Sequence, residues 1–240
     1  MSARQMGCST CAIRHRAICG ALSDKEIVHL NAIARWKQLS PGQVVFRDHE
    51  EPQYFANIVS GVVKLTKTLA DGREQIVALQ FPSDFLGQPF RRYSPYFAEA
   101  ATGVVLCTFD RSRFERLTQD YPGLEHRLFL HALDELDAAR EWMVLLGRKS
   151  AGEKLASFLL MIANRYSGTG CASPAASNSA RFELALSRGE IADYLGLTIE
   201  TVSRQITALR RRGIVVLGST RSVFVPNLAR LATAAEEDFD

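Results

Sequence analysis

Three cysteines crowd the first twenty residues as Cys8-x2-Cys11-x7-Cys19, which puts three soft thiolates on one short segment. Thiolates in such numbers suit a metal ion or an iron-sulfur cluster, and closing a tetrahedral site takes a fourth donor from elsewhere in the chain. Cys107 is the candidate. It lies in the run from Gly103 to Asp110, where alternation puts Val105, Cys107 and Phe109 on one strand face. Taken alone, that placement reads as a small buried hydrophobe. His15, between Arg14 and Arg16, is either an alternative ligand or part of a solvated cationic face. Cys171 sits among small residues and is read as a spare thiol. The segment carrying the first three cysteines has no helical or strand period, so it is expected to be a functional appendage.

A second constellation occupies Ser187 to Arg212. Ser187 with Glu190 three residues on forms a capping-box pattern, and Gly196 permits a left-handed turn where that helix ends. Ile191, Leu195, Leu197 and Val202 supply apolar contacts between two crossing helices, with small Ala192 where they approach most closely. Thr198 caps the second helix and sets Glu200, Thr201, Ser203 and Arg204 in its first two turns, with Arg210, Arg211 and Arg212 behind them. A glutamate accepts from cytosine N4 and an arginine grips guanine O6 and N7. Glu200 and Arg204, one turn apart, could therefore read neighbouring base pairs in double-stranded DNA. An ordinary helical hairpin would present the same charges to solvent without needing the joint spacing of Ala192, Gly196 and Val202.

The elements that must hold these residues follow from pattern. From Leu39 to about Phe114, short β-rich runs broken by turn residues such as Ala70-Asp71-Gly72 predict an antiparallel roll or barrel. Tyr121-Pro122 opens a long helix, Leu124 to Leu146, with Leu133, Leu136, Met143 and Leu146 at helical spacing; this stripe packs within its own domain or forms the seam of a dimer. A second amphipathic helix spans Ala151 to Tyr166. A strand over Phe182 to Leu186 and a final hairpin from Ile214 to Val225 flank the two crossing helices.

The chain has 240 residues, 47% of them hydrophobic, and a formal charge of +3, so one or two globular cores are expected and charge alone does not specify a polyanionic partner. No apolar run nears the roughly 20 residues that cross a bilayer, and the N-terminus lacks a secretion-signal core, so a cytoplasmic protein with no membrane partner is expected. In that reducing setting the five cysteines are read as ligands, sensors or packed thiols rather than disulfides. No catalytic constellation or substrate-phosphate loop accompanies them, which argues against an enzyme.

With these motifs in place, the chain closely resembles the CRP/FNR family of bacterial regulators over nearly its whole length. LSRGEIADYLGLTIETVSRQITALRRRGIV carries the C-terminal resemblance and DGREQIVALQFPSDFLG the N-terminal one. The resemblance implies an α+β fold with an N-terminal antiparallel β-roll like a cyclic-nucleotide-binding domain, a long dimerisation helix and a C-terminal winged helix-turn-helix. The domains would be a cysteine-rich cluster-binding segment at 1–20, a β-roll sensor at 21–120, the dimerisation helix at 121–147 and the DNA-binding domain at 148–240. It implies a homodimer that binds a palindrome like TTGAT-N4-ATCAA, with Glu200, Ser203 and Arg204 at the base-reading positions, and contact with RNA polymerase. Arg212 would lie nearer a phosphate.

FNR-type oxygen sensors have an N-terminal cysteine cluster and a fourth cysteine in the strand where Cys107 stands, so the resemblance implies a [4Fe-4S] cluster on Cys8, Cys11, Cys19 and Cys107. The final gap of seven departs from the enterobacterial regulator and looks like the rhizobial FNR-like and FixK-like branch. A structural zinc would use the same ligands. That alternative pairs a zinc clip or thiol switch with a small-molecule effector in the roll. Cyclic nucleotide is not expected, because Gly87-Gln88 lacks the acidic ribose partner and Ser94 to Glu99 lacks the phosphate arginine, with Glu99 set to repel an anion; Arg91 and Arg92 stand nearby. By the match of EWMVLLGRKSAGEKLASF, Glu141 falls on an acidic position that restrains dimerisation in FNR-type proteins. An exposed glutamate serving Arg140 or Arg148 is the alternative.

Overall fold

The computed structural model describes residues 7–167, 178–219 and 221–237. Cys171 and most of the small residues around it lie outside them. The chain divides into two compact units, 1–137 and 138–240.

In the first unit α1 (Ile27–Ile33) precedes eight strands: β1 (Ala34–Leu39), β2 (Val44–Phe46), β3 (Tyr54–Ser60), β4 (Val63–Thr68), β5 (Glu74–Gln80), β6 (Phe85–Leu86), β7 (Phe97–Ala100) and β8 (Val104–Asp110). They form two four-stranded antiparallel sheets, ordered β1-β8-β3-β6 and β2-β7-β4-β5. This is the predicted roll. Alternation along β8 divides its side chains: Val104 and Leu106 join Ile58, Leu86 and Ala98 in the roll interior, whereas Cys107 and Phe109 join a second core on the other face. Gly87, at φ +113, lies so close to Phe55 that an added Cβ would stand 2.5 Å from its ring, so the backbone there accepts only glycine.

The second core corrects the expectation of an N-terminal appendage. Residues 7–22 fold back through short 3-10 turns, Cys8–Thr10 and Ile18–Ala21, and bury Ile13, Ala17, Ile18, Cys19 and Leu22 against Phe55, Phe109 and Phe114. Of these, Ile13, Ala17, Ile18 and Leu22 recur at intervals of four, one and four, a helical signal obscured by the polar residues between them. The core also takes α2 (Arg111–Asp120), which the Asp110 carboxylate caps by accepting from the Arg113 amide at 3.0 Å.

The long helix α3 (Pro122–Arg148) starts at proline, whose missing N–H costs nothing in a first turn. In the second unit α4 (Ala151–Ser167) is followed by β9 (Ala180–Glu183), α5 (Arg188–Leu195), α6 (Ile199–Arg211), β10 (Val216–Leu217), β11 (Ser222–Val225) and α7 (Leu228–Glu236). The sheet β10-β11-β9 supplies the wing. β9 starts two residues earlier than its sequence pattern suggested, because Ala180 pairs with Val225 while Leu184 to Leu186 leave the ladder to enter the core. Tyr194 stacks on Trp142 with ring centroids 4.2 Å apart, joining the start of this unit to α5.

Candidate functional site

The cysteine patch is assembled by contacts between distant parts of the chain. The Cys8 amide donates to Asn31 Oδ1 of α1 at 3.1 Å, and the Arg14 guanidinium meets Asp24 at 2.6 Å. Cys107 arrives on β8, in register with Trp36 of β1 on one side and Asn57 of β3 on the other. Cys19 and Cys107 are buried, Cys8 and Cys11 are half-buried, and all four are free thiols packed on the same core.

Burial pushes the Cys19 thiol up to about 12, and the charges of Cys11 and Cys8 push the same way while Arg14 opposes them. Cys107 is raised by burial first and then by Cys8, Cys11 and Cys19. Cys8 is raised by burial and by Cys11. The four predicted ligands therefore lie within electrostatic reach of one another. Among the described residues no three His, Cys, Asp or Glu side chains stand close enough to hold a single metal ion. The sulfurs share a patch without closing on an ion. His15 is exposed.

Sequence reasoning missed Asn57. Its side chain is 1% exposed, and Nδ2 donates to Cys19 Sγ at 3.9 Å while Cys19 Sγ reaches the Arg14 carbonyl at 3.6 Å. Asn57 Oδ1 is buried without a partner, at a cost of about 1–3 kcal/mol. The available signal was an asparagine, poorly suited to strands, between the inward residues Phe55 and Val59.

The second site is local in origin. Ser187 Oγ accepts from the Glu190 amide at 3.3 Å and the Glu190 carboxylate accepts from the Ser187 amide at 2.8 Å, completing the capping box. Gly196 adopts φ +62, and Thr198 then accepts from the Thr201 amide at 3.2 Å to start α6. Val202, Gln205, Ile206 and Leu209 turn inward at intervals of three, one and three. That burial leaves Glu200, Ser203, Arg204, Thr207 and Arg211 on the opposite face, with Thr201 and Arg212 at its edge. Arg204 and Arg212 are exposed. The backbone N–H of Glu200 and the Thr198 hydroxyl hold the Glu200 carboxyl below the usual range, so an anion stands ready beside Arg204.

Along α3, Phe129, Leu130, Leu133, Leu136, Met143 and Val144 are exposed, Met143 to 72%. Glu141 is exposed on the same helix, between Asp137 and Val144 on one stripe. In the roll, Gln80, Gly87, Gln88, Arg91, Tyr96 and Glu135 border a cavity of about 60 Å³. Glu99 is not a bare repelling charge, because Lys64 pairs with it at 3.0 Å across β4 and β7. Arg92 turns to Glu51 at 3.7 Å.

Comparison with known proteins places both units. A Crp-like helix-turn-helix domain model matches residues 153–234 and a cyclic nucleotide-binding domain model matches 36–121. The chain is 44% identical over 233 residues to the transcriptional activator protein FnrL of Cereibacter sphaeroides, covering 97% of this chain and 93% of that one. It is 41% identical over 210 residues to the nitrogen fixation regulation protein FixK of Bradyrhizobium diazoefficiens, covering 88% and 86%. Its structure resembles that of FixK2 from Bradyrhizobium japonicum at a TM-score of 0.75 and 30% identity, covering 86% of this chain and all of that one.

Proposed function

Because the chain belongs to the CRP/FNR family of transcription activators, we propose that it is an oxygen-responsive member whose Cys8, Cys11, Cys19 and Cys107 hold a [4Fe-4S] cluster. The observation that carries this reading is the convergence of four free thiols on one core patch from opposite ends of the first unit. The donor set fits the group: four sulfurs, two buried and two half-buried, with an amide aimed at one of them. When bound, the cluster supplies an oxygen-labile iron-sulfur centre.

The protein's own residues do the rest. Turns around Cys8 and Cys19 fix three ligands through α1 and Arg14, while β8 holds the fourth rigidly. The exposed apolar stripe of α3 is the surface on which two copies pair, and Glu141 keeps that pairing marginal. In the dimer, two α6 helices meet a TTGAT-N4-ATCAA-like palindrome, with Glu200, Ser203 and Arg204 at base edges, Thr201 beside them and Arg212 at the backbone. RNA polymerase is the further partner. The roll cavity, at about 60 Å³, is well below the roughly 300–1,000 Å³ of ordinary ligand pockets.

Anoxic purification tests the reading. Stoichiometric iron and sulfide, a cluster absorption that bleaches in air, and palindrome binding lost on bleaching are the expected results. A colourless chain containing zinc would overturn the cluster assignment.

A further inference from the structure

Among the described residues, Asn57 is a buried polar side chain that touches the cysteine patch, and its chemistry is one-sided. Its amide nitrogen reaches Cys19 Sγ at 3.9 Å, and its alpha carbon is in register with that of Cys107. Its oxygen has no partner. A strand residue at 1% exposure with phenylalanine and valine as its neighbours on that face is ordinarily apolar, since a leucine of the same size would strand no polar atom. The residue is therefore badly suited to packing and well suited to presenting an N–H to sulfur. Cys19 Sγ lies 3.6 Å from the Arg14 carbonyl, which can only accept, and 3.9 Å from Asn57 Nδ2, which can only donate, so of these two neighbours the amide is the one that can serve a sulfur ligating iron.

We infer that Asn57 is a positioning residue for the proposed cluster, donating through Nδ2 to the Cys19 sulfur and thereby slowing its oxidative loss. The inference rests on the cluster reading above. Hydrogen bonds to ligand sulfurs withdraw electron density from them, which raises the reduction potential of an iron-sulfur centre and makes its oxidation harder. The effect acts on one ligand of four, so the cluster still assembles without it.

The test uses the full-length chain, anoxically reconstituted with iron and sulfide, as wild type, Asn57→Leu and Asn57→Asp. Asn57→Leu keeps the shape and removes the donor. It is expected to take up the wild-type complement of iron and sulfide, to bleach in air roughly two- to tenfold faster, the worth of one ordinary hydrogen bond, and to show a lower midpoint potential. Asn57→Asp sets an acceptor against the thiolate and is expected to bleach faster still. Resonance Raman spectra should show the iron–thiolate stretch moved in both variants, and urea unfolding of the metal-free chains separates a stability defect from this effect.

A wild-type chain that takes up no iron and sulfide overturns the cluster reading itself. A wild-type chain that takes them up, with Asn57→Leu matching it in bleaching rate and potential, overturns the role of Asn57 alone. Should Asn57→Leu fail to fold, Asn57→Ser and Asn57→Asp decide by the same measurements: equal bleaching rates in all folded variants overturn the role, and a rate that rises as the donor is shortened and then reversed supports it.

Discussion

The cysteine patch and the helix-turn-helix are opposite solutions to placing a few side chains. In the second unit, Ser187 meets Glu190 and Thr198 meets Thr201, each three residues apart, and Gly196 sets the turn between them. In the first unit the Cys8 amide reaches Asn31 across 23 positions and Asn57 reaches Cys19 across 38. One site is made by caps and helical period, the other by topology. A locally built site tolerates change elsewhere in the chain, whereas a topologically built one fails when any contributing strand or turn moves. On the proposed function, that difference would suit a rigid reading head governed by a sensor that can be dismantled.

The largest expected effect tests the topological site. Cys107→Ser removes a thiolate held on β8 and replaces it with a hydroxyl, a poor and usually protonated ligand for soft iron. Iron and sulfide content after anoxic reconstitution is expected to fall to background, as in Cys8→Ser, Cys11→Ser and Cys19→Ser. Cys171→Ser, outside the described residues, is expected to leave that content unchanged. Full retention in Cys107→Ser would remove the fourth ligand from the site and turn attention to His15.

Next comes the reading head. Arg204→Ala is expected to weaken binding to the palindrome roughly five- to hundredfold, the ~1–3 kcal/mol of one bidentate base contact, while leaving non-specific binding nearly intact. Arg212→Ala, at the edge of the exposed face, is expected to weaken all sequences alike and flatten the salt dependence. Fluorescence anisotropy against matched and scrambled duplexes separates the two. Inserting half a helical turn between half-sites moves the second site to the wrong side of the duplex, so a spacer variant that binds tightly would refute paired α6 helices.

How much of each site the sequence discloses follows from the same contrast. The helix-turn-helix was legible in detail, since Ser187, Glu190, Gly196 and Thr198 are each required by a backbone group a few residues away. The roll was legible as a class, through alternation and turns, and the proposed set of Cys8, Cys11, Cys19 and Cys107 was singled out only because the chain resembles a known family. The fold-back of residues 7–22 was not. Its apolar spacing gives no direction, and only the packing of Ile13 and Ile18 on the Phe55, Phe109 and Phe114 cluster does. Asn57 was invisible for a related reason: its role depends on β3 lying beside β8 and on Cys19 folding over that pair.

On the proposed function the two sites are coupled through α3, and the test of that coupling is more modest. Glu141 is exposed beside Met143 and Val144, which are exposed to 72% and 59%. On a parallel seam that carboxylate would approach its symmetry mate in a partly desolvated setting, where like charges repel more than in water. Glu141→Ala is expected to yield a cluster-free dimer that binds the palindrome in air. Sedimentation decides it: a mutant as dissociated as the parent chain would return Glu141 to the role of a solvated residue near Arg140 or Arg148.

The smallest expected effect probes how local the reading head is. Gly196 sits at φ +62, where an L residue pays a backbone penalty, yet an added Cβ there meets nothing within 4 Å. Gly196→Ala therefore changes conformational energy without changing packing. Two terms oppose: alanine narrows the unfolded ensemble, which stabilises, and strains the left-handed turn, which destabilises, and at positive φ the second is the larger. A net loss of about 1 kcal/mol is expected, read as a lowered urea midpoint with an unchanged slope. Asparagine, which tolerates the left-handed region, is expected to recover part of it. Because the caps at Ser187 and Thr198 still define both helices, the folded mutant is expected to bind the palindrome as the parent does. If affinity fell with the midpoint, the angle between α5 and α6 would depend on the turn itself, and the reading head would be less rigid than its two caps imply.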